Sequence, residues 1–227
     1  MKLLQVICRH CIKMYRMSKS FLFIVIFSIT NISFADYQEG IDYKIVNEGK
    51  SNFVKGIDNE IKIIEAFWYG CPHCYKFEKY LEKWKPSLQK DVSFSKVPAA
   101  FNKYWALHAK VFYSIEKYKD KDKIHNLIFK AIHEQNRNLD NYQSIETFLK
   151  AQNINTSKLN KNFNSDKINE KVVDANYLLD SFEIESVPCI IVNQKYKISG
   201  RMAKTYQGLL DITDFLVKKE RELKAVN

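Results

Sequence analysis

Cysteine, glycine and proline are scarce in this chain of 227 residues, which holds five, six and four of them. So little glycine and proline excludes collagen-like and low-complexity architectures, and so little cysteine excludes a disulfide-stapled miniprotein. Long apolar runs are missing too, apart from one, and that excludes a polytopic membrane protein. Acid is absent from the first 35 residues, where Lys2, Arg9, Lys13, Arg16 and Lys19 supply five of the 36 bases. The net charge of +10 is therefore inflated by this leader, and the remainder sets 31 bases against 26 acids. A mild, unclustered excess of that kind lacks the basic stripe that nucleic-acid binding requires, so no nucleic-acid partner is expected. What is present in quantity is apolar: 46% hydrophobic and 14% aromatic residues, enough for a sizeable buried core. No internal repeat stands out.

The single apolar run, Phe21 to Ile29, follows the basic stretch and leads to Ser33-Phe34-Ala35, with small residues at the −3 and −1 positions of a cleavage site. This reads as a secretory signal peptide over residues 1–35, cleaved after Ala35, and so as an exported protein. The run is about half of the roughly 20 residues a permanent membrane helix needs; an uncleaved anchor is the alternative. Cys8 and Cys11 have the spacing of a redox or metal pair, but nothing around them is patterned to fold, and Met14 or Met17 would serve equally as the start of the leader. An exported chain meets an oxidising compartment, where cysteines pair as staples or do redox work. That leaves Cys71, Cys74 and Cys189, and a bridge between residues three apart closes too small a loop to constrain the unfolded chain much.

Ile61 to Tyr69 is a β-branched and aromatic run bounded by Gly70, hence a buried strand. Pro72 suits the first turn of a helix, and Cys74, Phe77, Leu81 and Trp84 recur at helical spacing until Pro86 kinks or ends the run. A second strand is expected at Val92 to Val97. Helical periodicity then takes over: Trp105, His108, Phe112 and Ile115 share one face, Ile124, Leu127, Ile128, Ala131 and Ile132 another, and Ile145, Phe148 and Leu149 a third after Ser144. The Asn-rich stretches Asn136 to Asn141 and Asn153 to Asn164 read as turns and caps. Cys189 to Val192 and Lys195 to Ser199 form a hairpin around Asn193-Gln194, and Thr205 caps a final helix that buries Tyr206, Leu209, Leu210 and Phe215. The order describes an α/β thioredoxin-like fold: residues 36–100 as its first part, a helical insertion over 101–180, and 181–227 as its second part.

Cys71 falls where a buried strand meets a helix. Its sulfur lies at the positive end of the helix macrodipole, facing backbone N–H groups that have no partner within the helix. Such a position stabilises a thiolate, and His73 adds positive charge or a hydrogen bond. Stabilising the thiolate stabilises the reduced protein and makes the disulfide an oxidant, each pKa unit below ambient pH being worth up to about 1.4 kcal/mol or about 30 mV. Cys74, one turn in, is the expected buried resolving thiol. A zinc half-site would need a second ligand pair, and His108, His125 and His133 are scattered on helical segments, so no metal is expected.

Periodicity singles out two charges. Ile61, Ile63, Glu65, Phe67 and Tyr69 alternate onto one strand face, and Val92, Phe94 and Lys96 onto another, so Glu65 and Lys96 each interrupt an apolar stripe. On adjacent strands beneath the helix they can pair, and a buried carboxylate of raised pKa can take the Cys74 proton. The competing reading has these faces reversed or the side chains reaching solvent.

The stretch Glu65 to Glu78 (EAFWYGCPHCYKFE), with Ser186-Val187-Pro188 downstream, resembles the DsbA family of periplasmic thiol:disulfide oxidoreductases. The resemblance extends over about Asp36 to Asn227. It implies a protein-thiol oxidase acting on reduced, unfolded exported proteins through a Cys71–Cys74 disulfide, with no other cofactor. It further implies a quinone-linked membrane reoxidant of the DsbB type, a hydrophobic groove near the site, and a cis Val187–Pro188 bond whose Val187 backbone pairs with an extended substrate; an ordinary trans edge-strand proline is the alternative. The family has an acid and a lysine at the positions of Glu65 and Lys96, and an acid at Glu78, which as a solvated helix residue would do nothing. Cys189 departs from the family pattern, where a small non-thiol residue follows the proline, and reads as a buried apolar side chain or as a third redox thiol. A monomer is expected. A reductase or isomerase of the same fold, or a non-enzymatic chaperone or metal carrier, are the competing functions.

Overall fold

In the computed structural model the described residues are 37–46 and 60–226. The expected leader, its cleavage after Ala35 and the Cys8–Cys11 pair lie outside them. Among the described residues no helix is long and apolar enough to cross a membrane.

Five strands form one sheet in the order β1-β5-β4-β2-β3. β2 (Ile61–Phe67) and β3 (Val92–Pro98), the latter at one edge, run parallel and are joined by α1 (Pro72–Trp84) and a short 3-10 turn, Lys85–Ser87. β4 (Cys189–Val192) runs antiparallel to β2, and the hairpin carries the chain into β5 (Tyr196–Ser199). A two-residue edge strand, β1 (Lys44–Ile45), pairs antiparallel with β5 and has no counterpart in the sequence reading. Between β3 and β4 stand α2 (Lys103–Ile115), α3 (Lys121–His133), α4 (Tyr142–Ala151), α5 (Ser157–Phe163) and α6 (Asp166–Ser181); after β5 come α7 (Gly200–Ala203) and α8 (Tyr206–Val226).

The sheet is covered on both faces. Ile61, Ile63, Ile190 and Val192 pack with Phe77, Leu81 and Trp84 of α1 and Leu209, Leu210 and Leu216 of α8. Ile64, Ala66, Val97, Cys189 and Ile191 face the other way, against Ala175 and Leu179 of α6 with Phe182. A third cluster joins Phe67, Tyr69, Cys71 and Cys74 to Ile124, Ile128 and Phe129 of α3 and Ile145 and Phe148 of α4. The cysteine end of the sheet is thus packed against the inserted helices.

Some local features differ from the sequence reading for an identifiable reason, while the hairpin turn and the Thr205 cap follow it. β2 ends at Phe67 because Trp68 leaves the ladder to stack on Trp105, ring centroids 4.1 Å apart. Its indole lies over Gly70, where a Cβ would collide with it. α4 starts at Tyr142, capped by Asn141, whose side chain accepts from the Ser144 N–H at 2.9 Å; Ser144 is inside the helix. Asn153 to Asn164 is more than turns and caps, since α5 runs through it and buries Leu159 and Phe163. The hairpin turn has positive φ at both centres, Asn193 (49°) and Gln194 (54°), as a type I′ turn requires. Thr205 caps α8 by accepting from the Gly208 N–H at 2.8 Å.

Candidate active site

Pro72 occupies the first turn of α1, so the residue before it becomes the N-cap. That residue is Cys71, extended at φ −83° and ψ 115°, whose Sγ accepts the Cys74 N–H at 3.4 Å. Cys71 is 7% exposed and Cys74 not at all, and both are free thiols. The Cys71 thiol is pulled down to about 6, chiefly by a hydrogen bond from the Cys74 thiol; burial opposes this, and the Cys74 and His73 N–H groups and the His73 charge add to it. Cys74 is driven well up by burial, by its bond to Cys71, and by the charges of Cys71 and Glu65. The two sulfurs differ in the sense that exchange needs: the outer one ionises readily and the inner one holds its proton.

Val187 and Pro188 close over the pair. Their peptide bond is cis, and the Val187 carbonyl accepts the Cys71 S–H at 3.4 Å. Cys189, next in the chain, turns away. It is 2% exposed, packs on the α6 side of the sheet, donates to the Ile198 carbonyl at 3.2 Å, and is pushed up to about 12 by burial. It keeps apart from the pair and stays protonated.

Glu65 and Lys96 are register partners on β2 and β3, and they form an ion pair. Lys96 also pairs with Glu78 of α1, so one ammonium serves two buried carboxylates. Glu78 faces inward with Cys74, Phe77 and Leu81 rather than to solvent. Burial lifts Glu65 to about 7, against the pull of Lys96 and with a further push from Glu78. Burial acts on Glu78 in the same direction, but Lys96 and His125 together overcome it and hold Glu78 below the usual carboxylate range. Oε2 of Glu65 is taken by Lys96, while Oε1 is buried with no hydrogen-bond partner. An orphaned carboxylate oxygen is costly unless it carries or exchanges a proton.

Not every candidate converges on the sulfurs. His73 is exposed, and its Nδ1 lies 2.9 Å from the Tyr206 hydroxyl rather than on Cys71, its charge being the last of the influences that lower the thiol. Three participants escaped the sequence reading: Tyr206, His125 and the inward role of Glu78. His125 is buried, with Nε2 3.4 Å from Glu78 Oε1 and Nδ1 2.9 Å from the Tyr69 hydroxyl. The signal for Glu78 and His125 was a polar residue on an apolar helical stripe, the same signal that singles out Glu65 and Lys96 on the strands. Tyr206 gives no such signal. Among the described residues no group of three or more His, Cys, Asp or Glu side chains is placed to hold a metal.

The family profile described as Thioredoxin matches residues 58–212. The thiol:disulfide interchange protein DsbA of Azotobacter vinelandii is 34% identical over 162 residues, covering 71% of this chain and 76% of that protein. DsbA of Pseudomonas aeruginosa is 32% identical over 186 residues, covering 82% and 87%. The crystal structure of Pseudomonas aeruginosa DsbA superposes with a TM-score of 0.77 at 31% identity, over 84% of this chain and 97% of that one. That of the oxidoreductase DsbA from Xylella fastidiosa gives 0.73 at 26%, over 82% and 98%.

Proposed function

The chain belongs to the DsbA family of thioredoxin-fold thiol:disulfide interchange proteins, and from that premise we propose how its site works. It is a thiol:disulfide oxidoreductase that forms disulfides through Cys71 and Cys74. A substrate thiolate attacks the Cys71 sulfur of the oxidised protein, a substrate–Cys71 disulfide forms, and Cys74 leaves with the electron pair. The Glu65 carboxyl supplies the proton that Cys74 takes up. A second substrate thiolate then attacks the substrate sulfur, the substrate disulfide forms, and Cys71 leaves as a thiolate. Two electrons stay on the protein, with Cys71 a thiolate and Cys74 a thiol protonated by Glu65; both substrate protons pass to solvent as the substrate thiols ionise, and Glu65 takes one back from it.

The observation that carries the direction is the Cys71 thiol at about 6 beside a Cys74 thiol driven up. At pH 7 the outer sulfur is ionised by about ten to one, which favours the reduced protein and makes its disulfide an oxidant. Reoxidation reverses the traffic: Cys71 attacks the disulfide of a quinone-linked membrane partner of the DsbB type, and Cys74, giving its proton to Glu65, displaces that partner. Pro188 and the backbone of Val187 hold an extended substrate strand across the sulfurs. Phe101 and Tyr104, exposed beside Trp68 and Trp105, offer its side chains an apolar surface. The clients are exported proteins met unfolded in the periplasm, after the leader is removed behind Ala35. The redox centre is the cysteine pair, with no further cofactor.

The test is the reduction potential measured by equilibration with glutathione, with Cys71→Ser as the inactive control in insulin and dithiothreitol assays. DsbA itself lies near about −120 mV and thioredoxin near about −270 mV. A value toward the former supports an oxidase; one near thioredoxin's would make the protein a reductase and sink the reading.

A further inference from the structure

α1 carries Cys74 in its first turn and touches both α3 and α8. The Tyr75 ring lies 6.0 Å from that of Phe129, and Phe77 stacks on Tyr206 at 6.1 Å. The outward side of α1 lines a cleft of about 430 Å³, walled by Tyr75, Tyr80, Phe129 and Tyr206 and bearing Lys76, Lys79 and Lys130. This cleft begins at the reacting sulfurs: Tyr75 and Lys76 follow Cys74 directly, and the Tyr206 hydroxyl lies 2.9 Å from Nδ1 of His73. All three lysines are exposed, and among the described residues none of them forms an ion pair. Other lysines find acids, as Lys150 does on Glu146, Lys171 on Glu116 and Lys197 on Glu183. The acids beside the cleft are already engaged. Glu78 is buried on Lys96, Glu82 accepts from the Asn126 amide at 3.1 Å, and Glu134, just past α3, accepts from the Tyr75 hydroxyl.

We propose that this cleft is a client subsite that selects acidic segments: Lys76, Lys79 and Lys130 receive carboxylates flanking the client's cysteine, and the aromatic wall receives an apolar side chain between them. The inference rests on the reading of the protein as an oxidase of protein thiols, and it names the clients that such an oxidase favours. Like charges gathered around a cleft with apolar walls focus the field and raise the local concentration of a chain of opposite sign. Each exposed ion pair alone is weak, so selection needs the three together. Their action falls mainly on association and is screened by salt, while a basic client is turned away by the same charges. A second benefit reaches the client's own sulfur. Carboxylates near a cysteine raise its pKa and deplete the attacking thiolate, and ammonium groups that neutralise those carboxylates restore it. The rings add contact area that orients the segment, each tyrosine offering an apolar body with a polar tip.

The experiment mixes the oxidised full-length protein with synthetic dithiol peptides that differ only in the residues on both sides of their cysteines. One set carries aspartate, phenylalanine and glutamate, the second the corresponding amides with phenylalanine, and the third lysine with phenylalanine. Oxidation is followed by acid quenching and chromatography, and each rate is divided by that of the same peptide with hydroxyethyl disulfide, a neutral oxidant that removes intrinsic differences in thiol reactivity. The acidic peptide should react about tenfold faster than the amide peptide at low salt, the lysine peptide slowest, and the advantage should fall to about twofold near 0.5 M salt. Joint replacement by Lys76→Gln, Lys79→Gln and Lys130→Gln should abolish the preference, whereas Lys→Arg at the same three positions should keep it. No preference in the wild type, or one that survives the three glutamines, overturns the proposal. So does a lack of preference accompanied by capture of the protein on phosphatidylglycerol vesicles that the glutamines abolish, which would assign the lysines to an anionic membrane surface. Failure to oxidise any of the peptides would instead bring down the reading of the protein as an oxidase. Matching unfolding transitions establish that the variants are compared as folded proteins.

Discussion

Two buried carboxylates stand at opposite ends of the sheet, and the protein treats them differently. Glu220 of α8 is fully occupied: Asn193 donates to one oxygen, and the other accepts from the Tyr196 hydroxyl at 2.8 Å and lies 3.4 Å from Lys195 Nζ. It ties the hairpin turn to the last helix. Glu65, at the cysteine end, is more deeply buried and has one oxygen taken and the other orphaned. A saturated carboxylate is a clamp, whereas a half-saturated one is poised to accept a proton. Burial alone therefore does not leave a carboxylate ready to exchange a proton; burial combined with an unmet acceptor does, which is the basis of the role proposed for Glu65.

The strongest way to break this contrast is Glu65→Gln. The folded pKa is raised, from 4.5 to about 7, so the group's stabilising effect is complete below 4.5 and is lost as pH climbs through 7. The substitution should therefore raise stability at pH 8 by up to about 3 kcal/mol, flatten the unfolding profile between pH 5 and 7, and slow Cys74-dependent exchange. Urea titrations across that range, paired with exchange rates, check it. Glu220→Gln should do the reverse, lowering stability by about 1–2 kcal/mol while leaving the exchange profile where it was, because it strips acceptors from a structural knot.

A smaller effect separates the two sulfurs. Cys74→Ala removes the foremost donor to the Cys71 thiolate, and the thiolate absorbance near 240 nm should then rise at a pH about one unit higher than in the wild type. In the wild type the sign runs the other way from Glu65. The Cys71 pKa is depressed, so the advantage of the reduced form is lost as pH falls through 6. The smallest change is expected from Cys189→Ala, which should cost about 1 kcal/mol or less in packing and leave the reduction potential unmoved. A displaced potential would mean that the third thiol does communicate with the pair.

Local pattern carried the architecture. The run from Ile61, Pro72 at a helix start, and the hairpin around Asn193 are short-range signals, and strand, helix and turn lie close to where those signals put them. The edge strand Lys44–Ile45 escaped because two residues hold no period, and α5 escaped because asparagine favours turns in isolation while Leu159 and Phe163 are made helical by what they bury against. The same distinction governs the site. Glu65 and Lys96 are legible as charges breaking an apolar alternation, and their register places them face to face. His125 lies 47 positions beyond Glu78, so no window along the chain joins them, and their meeting is a product of how α3 docks on α1. Tyr206 meets His73 across 133 positions for the same reason.

The thiol-to-carbonyl contact between Cys71 and Val187 has a consequence for release. A neutral Cys71 takes one of the two lone pairs on the oxygen to which the proposed substrate strand would donate, whereas an ionised or bridged Cys71 has no hydrogen to offer and leaves both open. On the proposed docking of a client there, a single proton on sulfur weakens the seat at acid pH and its loss restores it.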